Sequence, residues 1–224
     1  MDEVYDVAVV GAGPAGSAAA LQVLRLRPDA SVLLLDAAEF PRDKTCGDGI
    51  AAQVFDLLDG LGVPGVADLG PLAPRLRLRT PSGRAVDRAC PRPNRVITRM
   101  VFDAALVDAA VARGAQLRRH RVRAVESRGE LVHLDREFAA RAVIGADGAN
   151  STVRRLLGGP VSPPGATAVA LRGYAPTSPD TDTLTIEYAQ GPYPAYAWSF
   201  PIAGGGANVG YGVFDLSLIH ISEP

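Results

Sequence analysis

The stretch YDVAVVGAGPAGSAAALQVLRLRPDASVLLLD, from Tyr5 to Asp36, decides the fold. Its Val-rich opening, residues 5–10, predicts a buried strand, and the Ala- and Leu-rich residues 17–26 predict a helix. Pro28 and Asp29 end that helix, and residues 31–35 predict a second buried strand. The order of strand, glycine-rich turn, helix, strand and acid is that of a right-handed β-α-β unit.

The glycine-rich turn carries Gly11, Gly13 and Gly16 in the spacing Gly-x-Gly-x-x-Gly. In this pattern the first glycine makes the tight turn, the second lets the backbone approach a pyrophosphate, and the third lets the helix pack on the strand. The start of the helix offers N–H groups and its positive dipole end to the phosphates. Asp36, about 20 residues further on, can accept hydrogen bonds from both hydroxyls of an adenosine ribose; the alternative is a solvated acid at a strand end. The turn therefore predicts a dinucleotide site, for either NAD or FAD.

The composition excludes several classes of function. The 23 Lys and Arg nearly balance the 24 Asp and Glu, which leaves no electrostatic case for binding nucleic acid. No apolar run is long enough to predict a transmembrane segment, and the acidic start argues against a signal peptide. Two cysteines cannot form a disulfide framework, so we expect a cytoplasmic protein, with peripheral membrane association left open. The three scattered His residues give no ligand pattern, so no metal is predicted.

Beyond residue 36, the hydrophobic patterns predict further helices and strands. Helices are expected at residues 50–60 and 99–112, and strands at residues 75–79, 84–89, 116–125, 131–134, 142–145, 168–173, 183–188 and 207–214. Residues 116–125 and 131–134 are expected to form a hairpin-like pair, and the last three strands an antiparallel sheet. The predicted fold class is α/β. A Rossmann-type domain would occupy residues 1–75 and 95–160, and an antiparallel β-rich substrate-side domain, inserted and adjoining, residues 76–94 and 161–215.

A second motif, GADGANSTVR from Gly145 to Arg154, separates FAD from NAD. It resembles the Gly-Ala-Asp-Gly-x-x-Ser-x-Val-Arg motif of flavoprotein hydroxylases and their relatives. The resemblance implies FAD as the cofactor and a contact between Asp147 and its nucleotide region. Asp147 and Gly148 can also be a plain turn with Asn150 or Ser151 as the helix N-cap, and both descriptions can hold together.

A third segment, FPRDKTCGDGI from Phe40 to Ile50, resembles the Pro-x-x-Lys-x-Cys-Gly segment of geranylgeranyl reductases. This family reduces isolated double bonds of prenyl chains with FAD, and the resemblance extends over residues 4–214. It implies that Cys46 and Gly47 lie beside the cofactor. Related halogenases usually carry Gly-Glu-Ser at the corresponding place. Composition alone favours a different role for Cys46, that of a small buried apolar residue.

The resemblance also implies cofactor contacts for Arg99, which opens a helix, and for Val122, whose backbone on the following strand would meet adenine. A planar, permanently charged Arg suits phosphate or flavin oxygens, but Arg99 can instead pair with Asp103 at helical spacing. Tyr196 and Trp198 lie in a segment that resembles the family's Tyr-x-Trp-x-Phe-Pro stretch. Their side chains would wall an apolar prenyl tunnel, and an aromatic sheet core is the alternative.

The function implied by the resemblance is the reduction of prenyl C=C bonds, in which reduced flavin supplies a hydride and an acid or water supplies the proton. The expected partners are a small-molecule or prenyl-lipid substrate and an external electron donor, NAD(P)H or ferredoxin. No residue is assigned a catalytic role. The alternatives are a flavin-dependent monooxygenase or halogenase on the same scaffold and a non-catalytic truncated fragment. The Asp-Gly motif argues against a plain NAD-dependent dehydrogenase.

The final residues, LSLIHISEP over 216–224, match the translation of a transposase adapter used in sequencing libraries. We interpret them as an adapter artefact rather than a natural edge strand, and we expect the natural gene to continue beyond Asp215. The later Gly-Asp motif of the family, which brings another Asp to the flavin, has no counterpart in residues 1–215. The sequence therefore leaves open whether this chain alone holds FAD.

Overall fold

The computed structural model describes residues 3–159, 167–190 and 195–215. Residues 160–166 and the interpreted adapter, residues 216–224, lie outside this described part. The chain divides into two compact units. The first comprises Met1–Arg42, Leu57–Pro64 and Met100–Val161, and the second comprises Asp43–Asp56, Gly65–Arg99 and Ser162–Pro224. The domain boundaries predicted from the sequence stay a prediction.

The helices and strands of the described residues are, in chain order, β1 (Val4–Val10), α1 (Pro14–Leu26), β2 (Val32–Asp36), β3 (Gly49–Ile50), α2 (Ala52–Gly60), β4 (Leu72–Arg79), β5 (Ala85–Val96), α3 (Arg99–Ala112), β6 (Gln116–Arg119), β7 (Val125–Arg128), β8 (Leu131–Leu134), β9 (Phe138–Gly145), α4 (Thr152–Leu156), β10 (Thr167–Ala175), β11 (Thr183–Tyr188), β12 (Ala195–Pro201) and β13 (Ala207–Asp215). The β1-α1-β2 order and the helix over 99–112 are confirmed. The helix expected over 50–60 begins at Ala52.

The first unit is built on a six-stranded sheet in the order β6-β2-β1-β9-β8-β7. Strands β6, β2, β1 and β9 are parallel, whereas β8 pairs antiparallel with both β9 and β7. The apolar run Val32–Leu35 of β2 is fully buried, as is usual for a central parallel strand. Because β1, β2 and β9 run in the same direction, the residues that follow them meet at one edge of the sheet, where parallel α/β sheets bind ligands.

The hairpin predicted between residues 116–125 and 131–134 is wrong in part. Strand β6 ends at Arg119 and pairs in parallel with β2, and the antiparallel partner of β8 is β7. Residues 120–124 are irregular, so Val122 lies in a connection and not on a strand. The cause of the error is that residues 116–125 have few apolar positions, with Arg or His at each of residues 118–121, so the local pattern does not show where the strand ends.

The second unit is built on a seven-stranded sheet in the order β10-β13-β12-β11-β4-β5-β3. All but one of its neighbouring strand pairs are antiparallel. The predicted hairpin of β4 and β5 is confirmed. Strands β4 and β11 pair in parallel, with Arg75 opposite Thr183, so the sheet is mixed. Ala73, Val96 and Leu184 are buried together in its core.

The predicted fold class is confirmed, since a Rossmann-type sheet with helices and a second, β-rich sheet are both present. Within the described part of the chain, no helix is long and apolar enough to cross a membrane. The carboxyl edge of the first sheet and the turn that precedes β3 in the second unit carry most of the predicted site residues.

Candidate cofactor site

The turn after β1 requires glycine at Gly11 and Gly16 because neighbouring backbone leaves no room for a side chain. Gly11 has a φ of +99°, and a Cβ there would lie 2.4 Å from the carbonyl oxygen of Ala146. A Cβ at Gly16 would lie 1.7 Å from the carbonyl oxygen of Gly11. The N–H of Gly11 donates to the Leu35 carbonyl over 2.7 Å. The turn is therefore held against the ends of both β2 and β9.

Helix α1 begins directly after Gly13 and lacks a side-chain cap. Gly13 is extended, with φ of −69° and ψ of −174°, and Pro14 takes the start of the helix, where no N–H is needed. The first turn of α1 contains no acidic residue. The N–H groups of this turn and the positive end of the helix dipole are therefore left to bind an anion such as a pyrophosphate.

Asp36, the last residue of β2, directs its carboxylate to the glycine turn. Its Oδ2 accepts from the N–H of Ala12 over 2.8 Å, and its Oδ1 accepts from the N–H of Ala38 over 2.9 Å. The Arg42 guanidinium lies 3.8 Å from Oδ2, and the Asp36 side chain is 12% exposed. Asp36 is thus not a solvated strand-end acid. Since a carboxylate offers about four lone-pair sites, acceptor capacity remains for ribose hydroxyls.

Asp147 lies in the turn after β9 and binds the start of α4. Its carboxylate accepts from the Ser151 hydroxyl over 2.5 Å and from the N–H groups of Thr152 and Val153 over 2.6 and 3.2 Å. Ser151 is the N-cap, because its hydroxyl accepts from the N–H of Arg154 over 2.9 Å. Burial raises the pKa of Asp147, but these hydrogen bonds outweigh burial and hold the pKa below its ordinary value. The capping alternative is confirmed.

The first unit brings its predicted residues together at one edge of the sheet. The N–H of Ala146 donates to the Val10 carbonyl over 2.7 Å, which places the Asp147 turn beside the glycine turn. Glycines packed on backbone, an uncapped helix start and a strand-end carboxylate fit the pyrophosphate and ribose of a dinucleotide. The Val122 side chain is 5% exposed and belongs to the core of this unit, so an adenine contact there is left to the backbone.

Cys46 and Gly47 lie in the second unit, in the segment 46–49 that we name the Cys46–Gly49 turn. Cys46 is a half-buried free thiol. A Cβ added at Gly47 would lie 3.2 Å from the ring of Phe200 and 3.5 Å from Nε1 of Trp198. Close packing against β12 is therefore a structural reason for glycine at this position.

Three polar residues of the second unit escaped the sequence analysis. Asp48 is 1% exposed and Asn208 is fully buried. The Asp48 Oδ2 accepts from the Tyr174 hydroxyl over 2.8 Å and from Nδ2 of Asn208 over 2.7 Å. Partial burial and the Asp48 carboxylate raise the pKa of Tyr174 above its ordinary value. Asp48 directly follows the Cys-Gly pair of the third motif, which is a signal that could have found it. Tyr174 and Asn208 are 126 and 160 residues away from it, and no local pattern marks them.

Arg99 begins α3, and its backbone N–H donates to Oδ1 of Asp48 over 3.2 Å. The cofactor contact of its side chain stays a prediction. Asp103, the alternative partner of Arg99, is fully buried, and its carboxylate lies 3.1 Å from the guanidinium of Arg42. Arg42 is therefore a further residue that the sequence analysis missed, and it joins Asp103 to the surroundings of Asp36.

Tyr196 and Trp198 lie on β12, with ring centroids 5.8 Å apart. Trp198 is 8% exposed, and its Nε1–H donates to Oδ1 of Asn208 over 2.8 Å. Gly210 makes room for the indole, because a Cβ there would lie 2.2 Å from its Cζ2. The indole is thus packed within the sheet, while Tyr196 is half-buried. The start of this sequence segment, residues 193–194, lies outside the described residues.

Comparison with known proteins identifies related sequences over nearly the whole chain. The model of the FAD binding domain family matches residues 4–185. The chain is 34% identical over 228 residues to a menaquinone reductase of Mycolicibacterium smegmatis, a match that covers 92% of this chain and 54% of the relative. It is 33% identical over 226 residues to digeranylgeranylglycerophospholipid reductase 2 of Methanopyrus kandleri, covering 93% and 54%. The chain thus spans about half the length of these curated relatives.

Solved structures share the fold. A geranylgeranyl bacteriochlorophyll reductase-like protein of Thermoplasma acidophilum superposes with a TM-score of 0.80 at 25% identity, covering 96% of this chain and 57% of that one. A flavin-dependent brominase superposes with a TM-score of 0.75 at 22% identity, covering 94% and 56%. The second likeness is one of fold alone, because one fold hosts many chemistries.

Proposed function

Because the chain belongs to the FAD binding domain family, we propose that it is the cofactor-binding part of an FAD-dependent oxidoreductase that reduces isolated C=C bonds of prenyl chains. One observation carries the choice of substrate. Relatives named for two different lipids, menaquinone and digeranylgeranylglycerophospholipid, match 92% and 93% of the chain. Both lipids bear prenyl chains, so a prenyl chain is the chemistry they share.

The geometry of the first unit supports the residues that we propose to hold FAD there. The turn of Gly11, Gly13 and Gly16, with the uncapped start of α1, would bind the pyrophosphate. Asp36 would accept from the adenosine ribose hydroxyls, and Asp147, held at the start of α4 by its hydrogen bonds, would contact the nucleotide region. These residues bind and orient, and bound FAD supplies the hydride chemistry.

The remaining proposed contacts rest on the resemblance to geranylgeranyl reductases. They are Cys46, Gly47 and Arg99 with the cofactor, the Val122 backbone with adenine, and Tyr196 and Trp198 with the substrate. NAD(P)H or ferredoxin is the proposed electron donor. We place the protein in the cytoplasm, since both cysteines are free thiols, with peripheral membrane association left open.

Anaerobic turnover of a prenyl alcohol tests this function. Purified chain, FAD reduced chemically with dithionite, and geranylgeraniol are incubated together, and the products are analysed by mass spectrometry. We expect the gain of one pair of hydrogen atoms per reduced double bond, and loss of that product with Asp36→Asn. Chemical reduction of the flavin makes the result independent of the natural electron donor.

The same reaction run in air separates the alternatives. Oxygen uptake with a hydroxylated product, or a halogenated product when halide is added, would identify a monooxygenase or halogenase. A chain that retains FAD but yields no product under either condition would contradict the proposed activity for this chain and favour the non-catalytic fragment.

A further inference from the structure

Asn208 is the centre of a buried hydrogen-bond network in the second unit. It lies on β13 and is fully buried. Its Oδ1 accepts from Nε1–H of Trp198 over 2.8 Å, and its Nδ2 donates to the carbonyl of Cys46 over 2.8 Å and to Oδ2 of Asp48 over 2.7 Å. One side chain therefore joins β13, β12 and the Cys46–Gly49 turn.

The chemistry of its partners determines the orientation of the Asn208 amide. An indole N–H is a donor without acceptor capacity, so it must face Oδ1. A carbonyl and a carboxylate accept, so they must face the two N–H groups of Nδ2. Both amide N–H groups and the amide oxygen therefore form hydrogen bonds, so the polar atoms of this buried side chain are fully satisfied.

The Cys46–Gly49 turn adopts a backbone conformation that needs support. Asp48 has a φ of +61°, a left-handed conformation that is costly for a residue with a side chain. Its carboxylate also accepts from the Tyr174 hydroxyl and from the N–H of Arg99, and its carbonyl accepts from the N–H of Ile97 over 3.0 Å. Four donors from three separate segments, residues 97–99, Tyr174 and Asn208, thus hold this one residue.

The turn is also packed closely against strand β12. Cβ atoms added at Gly47 and Gly49 would lie 3.2 and 3.3 Å from the ring of Phe200. The ring of Phe200 and the amide of Asn208, which are paired across β12 and β13, therefore both contact the turn, and the Asn208 amide binds its backbone at Cys46.

We propose that Asn208 is a positioning residue, which holds the Cys46–Gly49 turn in the conformation that presents Cys46 and Gly47 to the cofactor. This inference rests on the proposed function in one respect, the cofactor contact of Cys46 and Gly47. The effect of Asn208 on the Cys46–Gly49 turn involves only described residues of the second unit, and it can be measured without cofactor.

The test compares two variants that break different arms of the network. Asn208→Asp keeps the size of the side chain and an oxygen for Trp198, but replaces the two donors by an acceptor that faces the Asp48 carboxylate. Trp198→Phe removes the indole donor and leaves both bonds from Nδ2 to the turn. Asn94→Asp changes a half-buried Asn elsewhere in the same unit and serves as the control.

The readout is the rate at which iodoacetamide alkylates Cys46, measured in a Cys90→Ser background. We expect Asn208→Asp to raise the rate about tenfold, because release of the turn exposes the thiol. Asn94→Asp should stay within about twofold of the parent, and Trp198→Phe, which keeps the bonds from Nδ2 to the turn, should raise the rate less than Asn208→Asp does. Equal rates for Asn208→Asp and both of the others would overturn the proposal.

Two further measurements keep the test decisive. Emission of the single tryptophan shows whether Asn208→Asp folds. If it does not fold, Tyr174→Phe takes its place, because it removes one donor from Asp48 and should give a smaller rise in the alkylation rate. An unchanged rate would overturn the positioning role. Repeating the parent reaction with FAD should slow alkylation of Cys46. Absence of this protection would overturn the cofactor contact of the turn, while the rates without FAD would still decide the positioning.

Discussion

The carboxylate of Asp36 binds backbone on both sides of itself, the N–H of Ala12 in the glycine turn and the N–H of Ala38 beyond the strand. Each carboxylate oxygen thus has one backbone donor and a lone pair to spare. The same carboxylate can therefore shape the glycine turn and accept hydrogen bonds from ribose hydroxyls. Of the proposed site residues, Asp36 is the one whose substitution should most directly weaken FAD binding.

Asp36→Asn should weaken FAD binding about tenfold or more, because it replaces an ionised acceptor by an amide at a site that receives hydroxyl donors. The dissociation constant can be measured from the quenching of flavin fluorescence on titration. Asp29→Asn, at an exposed position of the same unit, is the matched control and should bind like the parent. Equal affinity of Asp36→Asn and the control would remove Asp36 from the proposed site.

At this scale the sequence predicted what a local pattern encodes. Gly11, Gly16 and Asp36 follow a known spacing, and the structure shows the packing that requires the two glycines. Asp48 and Asn208 could not be found in this way, because the hydrogen bond between them joins positions 160 residues apart. A buried polar partner is defined by the tertiary fold, and a single sequence does not reveal it.

At the scale of helices, the starts of α1 and α4 differ in a way that matches their proposed roles. The start of α1 has no side-chain cap, whereas that of α4 receives both Ser151 and Asp147. An uncapped start can receive the phosphates of a cofactor, and a capped start stabilises a short helix by itself.

The stability of the first unit should depend on the ionisation of Asp147. Its pKa is lowered in the folded chain, so its contribution is fully present above the unfolded value of about 3.9 and is lost as the pH falls through the lower folded pKa. Asp147→Asn should therefore cost about 1 kcal/mol of unfolding free energy at neutral pH, and the difference from the parent should shrink below about pH 4.

Urea unfolding of parent and variant across this pH range provides the measurement. Asp108→Asn, at an exposed position of α3, should change the unfolding free energy little at any pH. A difference between Asp147→Asn and the parent that stays constant, or grows as the pH falls, would contradict the capping role.

The contact between Trp198 of β12 and Gly210 of β13 leads to a separate prediction, on the stability of the second unit. Gly210→Ala would place a Cβ 2.2 Å from the Trp198 ring, whereas Gly212→Ala on the same strand would make ordinary contacts of 3.6 Å. Gly210→Ala should therefore lower the free energy of unfolding by about 1–3 kcal/mol, and Gly212→Ala by less than about 0.5 kcal/mol. Emission of the single tryptophan during urea unfolding reports on both variants. Equal stability of the two would show that Gly210 is not needed to seat the indole.

The sequence predicted helix α3 correctly but misjudged the strands near residue 120, and the difference has a physical cause. Helix α3 has a long apolar periodicity that few other structures can satisfy. Strand β6 has four residues, and its partner, β2, is distant in sequence. Pairing of short strands is decided by the rest of the sheet, which the local alternation of residues does not encode.

At the scale of the whole molecule, both sheets join segments that are far apart in the chain. In the first unit β1 pairs with β9, and in the second unit β4 pairs in parallel with β11. The sequence predicted a Rossmann-type fold from the β-α-β motif at its start, because that motif is contiguous in the chain. It did not predict the parallel pair in the second sheet, since such pairs need a long crossover whose path the sequence leaves undefined.

A visible absorption spectrum, recorded after the purified chain is mixed with FAD and desalted, decides whether this chain holds the cofactor through its first unit. We predict that the parent and Asp29→Asn retain the flavin band, and that Asp36→Asn retains much less of it. A colourless parent protein, folded as judged by cooperative unfolding in urea, would contradict the assignment of the glycine turn and Asp36 as a sufficient FAD site.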